Sequence, residues 1–294
     1  MKQSVSALIL VVVLSACGQE ASESAASESE ETDADDIAGV VMSGAGPEAG
    51  VWVIAETGEL GTRFARIVVT DEQGRYLVPD LPAASYEVWV RGYGLQDSTR
   101  VSASPGQQVD LEAIVAPDLA TAAKVYPAAY WYAMLDLPTD EELATIPGGM
   151  NFYLTWIKNM GCVGCHQLGN EATRTMPAAL AGIESSEQAW SRRISSGQAG
   201  SYMVSLAMKR LHGLPVRYMA KWTDRIAAGD IPAQVPERPS GLERNVVATI
   251  RDWSGPKSYM HDLSGTDRRD PTVNAYGPLY GAPELSSDEI QRTV

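Results

Sequence analysis

At 294 residues the chain is too long for one small core and has room for two compact domains with tails. Hydrophobic residues make up 45% and charged residues only 20%, which excludes a chain that is mostly disordered or mostly embedded in a membrane. A formal charge of −14, from 23 basic and 37 acidic residues with no Lys/Arg-rich run, argues against nucleic acid as a partner.

The chain begins with Lys2, an apolar run from Ala7 to Leu14, and then Leu14-Ser15-Ala16-Cys17. This is the layout of an export signal, and the apolar run is well short of the roughly 18 residues that cross a bilayer as a helix. Leu-Ser-Ala-Cys resembles the bacterial lipobox. That resemblance implies a lipoprotein signal peptide over residues 1–16, lipidation of Cys17, and a mature chain held by its lipid at a membrane. The expected location is the periplasmic face of the inner or outer membrane, or the cell surface. Residues 17–36 read as an acidic disordered tether, because Gly18 to Asp36 holds eight acidic residues, no basic ones and almost nothing apolar.

From Ile37 the texture changes to short alternating runs cut by Gly and Pro. These are Ala38 to Met42, Gly50 to Ala55, Ala65 to Thr70, Gly74 to Val78, Tyr86 to Val90 and Val109 to Val115. Period-two alternation at this spacing predicts an antiparallel β-sandwich over residues 37–116. Asp71-Glu72-Gln73-Gly74 supplies a turn with glycine where φ is positive, and Leu81-Pro82-Ala83-Ala84-Ser85-Tyr86 supplies a rigid bend. Together with Gly39-Val40-Val41 and Ala49-Gly50-Val51-Trp52-Val53, these motifs resemble the carboxypeptidase regulatory-like domain. The resemblance implies a transthyretin-like Greek-key fold with a structural or adhesive role and no active site. Trp52 and Trp89, on alternating strands, are read as core rather than as a sugar-binding surface.

The chemistry-bearing motif is Cys162-Val163-Gly164-Cys165-His166. C-x-x-C-H is the attachment motif of c-type haem. Two thiols about one helical turn apart each form a thioether with a haem vinyl, and the following histidine becomes the proximal iron ligand. A redox dithiol calls for a βαβ pattern that is not visible here. A structural zinc site needs further ligands, for which only the distant His212 and His261 remain. A plain disulfide leaves His166 unexplained. One covalent haem c on Cys162, Cys165 and His166 is therefore the expected cofactor.

Around the motif, Phe152, Tyr153, Trp156, Ile157 and Met160 recur at helical spacing, predicting a helix over Asn151 to Met160. Ser185-Ser186-Glu187-Gln188 has capping-box spacing and begins a helix running to about Ser196, with Gly197 as its stop. A last helix, Val216 to Ala228, lies between Pro215 and Gly229 with Val216, Met219, Trp222 and Ile226 inward. The order resembles a small class I cytochrome c domain over residues 148–230, which implies an all-α fold and a distal Met before the last helix. Met203 is the favoured distal ligand beside His166, because a Gly-rich approach precedes it. Met208, which shares a helical stripe with Val204 and Leu211 and so reads as core, and Met176 are the alternatives, and His212 or an open site stays possible. Arg192 and Arg193 are read either as partners of haem propionates or as solvated charges.

Residues 117–147 read as a packed linker, in which Thr139-Asp140-Glu141-Glu142 caps a short helix. Residues 231–294 read as an extended strap, a strand at Asn245 to Trp253 without an obvious partner, and a polar tail. The segment Arg244 to Gly281 resembles the lead-in to a streptogramin-lyase-like propeller, implying a short or truncated form of a longer protein. The expected whole is multidomain: an all-β sandwich and an all-α haem domain on a lipid anchor, passing single electrons to or from a redox partner protein. A haem enzyme or gas sensor with an open distal site, or an adhesive sandwich lipoprotein, are the rival functions.

Overall fold

The computed structural model describes residues 33–196, 199–251, 279–281 and 291–293. The signal, Cys17, most of the tether, Gly197, His261 and most of the tail lie outside the described residues. The tether reading is corrected at its end. Asp36 is buried, its carboxylate accepting the N–H of Asp80 at 3.1 Å and of Asp33 at 3.0 Å, so the chain is built into the fold before the first strand.

Strands come first: β1 (Ile37–Ser43), β2 (Gly46–Pro47), β3 (Trp52–Thr57), β4 (Phe64–Val69), β5 (Arg75–Val78) and β6 (Tyr86–Arg91). They are followed by β7 (Leu95–Gln96), β8 (Val101–Ala103), β9 (Gln107–Gln108), β10 (Leu111–Glu112) and β11 (Ile114–Val115). One sheet runs β4-β3-β6-β8, antiparallel throughout, with Val53 opposite both Val68 and Val90. The other is built on β1, which pairs antiparallel with β2 and β5 but parallel with β9 and β10. This departs from the all-antiparallel expectation, because the chain reaches β9 and β10 by crossing from the first sheet rather than through a hairpin.

Alternation decides what each face buries. Val53, Ala55, Val68, Val88 and Val90 join Ile37, Val41, Tyr76, Val78 and Leu111 of the second sheet in one core. Trp52, Ile54, Ala65, Ile67 and Trp89 fall on the opposite face and make a separate small cluster. Trp89 is buried there under the guanidinium groups of Arg91 and Arg100, and Trp52 is half-buried with its ring edge-on to Tyr93. The turns form as the sequence predicts. Asp71 accepts the N–H groups of Gln73 and Arg75, both at 2.8 Å, and the buried Tyr86 closes the bend by donating to the Pro82 carbonyl at 2.8 Å.

Helices follow: α1 (Leu119–Ala123), α2 (Ala128–Tyr132), α3 (Asp140–Leu143), α4 (Gly149–Leu154), α5 (Cys162–Cys165), α6 (Glu171–Arg174), α7 (Ser186–Ile194), α8 (Gly200–Val204) and α9 (Leu214–Ala227). α4 runs on into a π-helical turn at Thr155–Asn159, and α8 into another at Ser205–Arg210. The segment 117–147 is packed, as expected, and also helical. The Thr139/Glu142 capping box starts α3, and Tyr126 and Trp131 bury with Ala123 in a cluster of their own. α9 is the central element. Val216, Met219 and Trp222 face the helical core with Tyr153, Ile157 and Leu211, and Ile226 packs against its margin. Its outer side is tied to the 136–142 segment by Lys221–Asp136 at 2.8 Å, Arg225–Asp136 at 3.1 Å and the Tyr218 hydroxyl on Glu142 at 2.6 Å.

After α9 the strap returns to the sheets, where Arg238 donates to Glu48 at 2.5 Å and to the Tyr93 carbonyl at 3.0 Å. The late strand has a partner: β12 (Ala248–Arg251) pairs antiparallel with β4, placing Ala248 opposite Ile67. β13 (Leu279–Gly281) and β14 (Gln291–Thr293) pair with each other. The chain is thus a mixed α and β structure, and no described helix is long and apolar enough to cross a membrane.

Candidate functional site

α4 and its π-helical turn deliver the chain to the C-x-x-C-H motif. The turn closes through the Met160 N–H on the Thr155 carbonyl at 2.9 Å and the Gly161 N–H on the Trp156 carbonyl at 3.1 Å. These bonds skip one residue more than α-helical ones, so the last turn is widened, as π turns often are beside functional sites. Gly161 is required by a close approach. A Cβ there would run into the Trp156 carbonyl oxygen and lie 2.8 Å from Leu206 Cδ2.

Cys162–Cys165 then forms one helical turn, closed by the His166 N–H on the Cys162 carbonyl at 3.0 Å. The Cys165 side chain lies outside what the structure describes. His166 leaves the turn in extended backbone and is exposed. Three residues later Gly169, at φ +96°, is backed against the Ala128 carbonyl, where any side chain would collide. Arg174 is buried just beyond, donating to the Gly169 carbonyl at 2.9 Å with its guanidinium over the Trp131 ring at 4.2 Å. The motif is therefore clamped at both ends by backbone contacts that exclude a Cβ.

A cavity of about 280 Å³ opens beside it. Gly161, Cys162, His166 and Leu168 line it from the motif, Trp190, Arg193 and Ile194 from α7, and Tyr202 and Met203 from α8. Leu206 and Ala207 of the second π turn, with Pro215, Val216 and Met219 of α9, complete a largely apolar wall. The local sequence explains each element. Ser185 caps α7 by accepting the Gln188 N–H at 3.3 Å, and Pro215 sits in the first turn of α9, where its missing N–H is not needed.

Of the candidate distal ligands, Met203 lines this cavity and is half-buried. Met208 does not, and its reading as core is corrected: it is 43% exposed, because the widened π turn carries it off the stripe on which Leu211 remains fully buried. Met176 lines a different cavity, between the α6–α7 segment and the end of α9. His212 is exposed at φ +51°, with its Nδ1 3.2 Å from the Thr145 hydroxyl. The two arginines part company: Arg192 is exposed, whereas Arg193 is half-buried on the cavity wall.

Two phenols flank Cys162. Tyr132 donates to the Ile157 carbonyl at 3.0 Å, and Tyr153 is fully buried with no partner for its hydroxyl among the described residues. Burial raises the pKa of both, so both phenols keep their protons at neutral pH. Sequence reasoning missed Gly161, Tyr132 and Leu206 as site residues; only the glycine directly before the motif carried a local signal. No group of three or more His, Cys, Asp or Glu gathers at metal-binding range among the described residues.

The residues present fit a largely apolar group. The lining is largely apolar, Cys162 and His166 open onto it, and Met203 comes from a separate helix. A scan against protein-family models finds no match to this chain, and a search of the curated proteins finds none.

Proposed function

We propose that this chain is an exported, lipid-anchored monohaem c-type cytochrome that passes single electrons to or from a partner protein. In this reading a transthyretin-like Greek-key sandwich over residues 37–116 precedes a class I-like haem domain over residues 148–230. The observation that carries it is that Met203, distant in sequence, lines one largely apolar cavity with Cys162 and His166.

Cys162 and Cys165 would hold the haem, with His166 as proximal and Met203 as distal ligand. When bound, that group supplies a reversible one-electron couple at iron. The protein's part is to hold and tune it. A nitrogen and a thioether sulfur as ligands favour a higher potential than two histidines do. Leu206, Ala207, Val216 and Met219 keep water from the wall, and the clamped Gly161 and Gly169 fix the motif between two packed helices. The sandwich reading is supported by the single core shared between the two sheets and by the Tyr86 corner. The lipid anchor rests on the Leu14 to Cys17 motif.

The test is expression with a cytochrome c maturation system, followed by the pyridine haemochrome spectrum and mass of the denatured protein. The native ferric spectrum is then examined for the weak long-wavelength band of methionine sulfur on ferric iron. Covalent haem with that band, and loss of the band but not of the haem in Met203→Ala, is the expected result. Covalent haem without the band moves the function to an open-site enzyme or sensor, and absence of covalent haem sinks the cytochrome reading. Transfer of Cys17→Ser from the membrane to the soluble fraction tests the anchor.

A further inference from the structure

We propose that Arg193 anchors a carboxylate of the group held in the cavity, which for haem means a propionate; the inference rests on the haem reading above. Arg193 sits in the last turn of α7, where the helix dipole favours a cation. Its guanidinium lies over the Trp190 ring at 4.7 Å, and both residues line the cavity. Nη1 donates to the carbonyls of Thr173 and Thr175 at 3.3 and 3.0 Å, and Nη2 donates to that of Ala172. These three bonds fix the fork in one plane. A guanidinium has more N–H donors than these bonds use, and Nε–H makes no bond among the described residues.

No carboxylate pairs with Arg193 among the described residues, unlike Arg225, Arg217 and Arg238, which all have one. A half-buried cation on an apolar wall is costly unless an anion meets it, and burial lowers its pKa accordingly. The carbonyls of residues 172–175 orient the charge without neutralising it. No anion among the described residues meets this charge, and a planar fork with an edge unused by those residues is the geometry that takes a carboxylate. Arg192, the next residue, is exposed and has no place on the wall, so it serves as an internal control.

The experiment compares haem with haem dimethyl ester, in which each propionate carboxylate is replaced by a neutral methyl ester. In the full chain carrying Cys162→Ala and Cys165→Ala no thioether can form, so binding of either is reversible, and affinities are read from the Soret band. Haem is expected to bind at least about tenfold more tightly than the diester, as a charge-assisted hydrogen bond implies. Arg193→Gln is expected to abolish that ratio, Arg193→Lys to retain part of it, and Arg192→Gln to leave it unchanged. Far-UV circular dichroism establishes that each variant is folded, and the lysine variant stands in where the glutamine variant is not. If Arg193→Gln weakens both ligands equally, the residue only positions the 172–175 segment; the proposal fails and the haem reading stands. If neither ligand binds the folded chain with Arg193 intact, the cavity does not recognise the propionates and this inference fails, while the haem reading is decided separately by the covalent-haem assay above.

Discussion

Gly161→Ala perturbs the site through one methyl group. Its φ of −88° involves no left-handed backbone, and the new Cβ clashes with its neighbours. The new Cβ overlaps the Trp156 carbonyl oxygen, which already accepts the Gly161 N–H at 3.1 Å, and meets Leu206 Cδ2 at 2.8 Å. Neither neighbour gives way easily: the first is backbone of the π turn, and Leu206 is 6% exposed in the helical core. Overpacking of this kind costs about 1–3 kcal/mol, and weakening the turn's hydrogen bond adds about 1 kcal/mol. A total of about 2–4 kcal/mol lowers the thermal midpoint by roughly 4–16 °C for a domain of this size. Gly164→Ala is the matched control, because a Cβ there meets nothing within 4 Å and alanine favours the α5 turn. Melting followed by far-UV circular dichroism is the assay. An unchanged midpoint in Gly161→Ala, or an equal fall in Gly164→Ala, would refute the argument that a close approach holds the motif in place.

Tyr153→Phe is expected to stabilise the protein by about 1 kcal/mol, because it removes a buried hydroxyl that has no partner among the described residues; a lowered urea midpoint would show that the hydroxyl is bonded after all. Tyr76, Tyr132 and Tyr153 all have pKa values raised by burial, so the folded state keeps protons that the unfolded chain releases above the ordinary phenol value of about 10. Stability is therefore fully present below pH about 10 and falls as pH rises beyond it, and urea titrations across that range that stay flat would contradict the burial of these phenols. Arg238→Ala leaves the buried Glu48 without its cation and frees the strap, at a cost of about 1–3 kcal/mol. Limited proteolysis is expected to gain a cut near residues 231–240, and an unchanged digest would mean that the strap is held elsewhere.

Much of the local structure was legible because its causes are local. Asp71 to Gly74 makes a turn because an aspartate accepts two following N–H groups, and α7 begins after Ser185 because its hydroxyl caps Gln188. Only half of the anticipated capping box forms there, since Gln188 reaches Glu184 rather than the Ser185 backbone. α9 runs from Leu214 to Ala227, close to the predicted Val216 to Ala228, because proline and glycine bound it by backbone chemistry alone. The helices of 117–147 were less legible: α1 and α2 have five residues each, too short to show a period.

The sequence by itself determined the alternation that assigns each strand two faces, the turns and caps, and the juxtaposition of Cys162, Cys165 and His166 within one turn. All of these follow from side chains and backbone within a few residues of one another. Only the tertiary structure decided that β12 completes the sheet beside β4 and that β1 pairs in parallel with β9 and β10, since strand register depends on hydrogen bonds between distant segments. It also decided which methionine and which arginine belong to the cavity. Local pattern favoured Met203 but put Met208 in the core and left Arg192 and Arg193 equivalent; a π turn and a backbone clamp separate them instead. Both depend on packing between elements, where local periodicity carries no information.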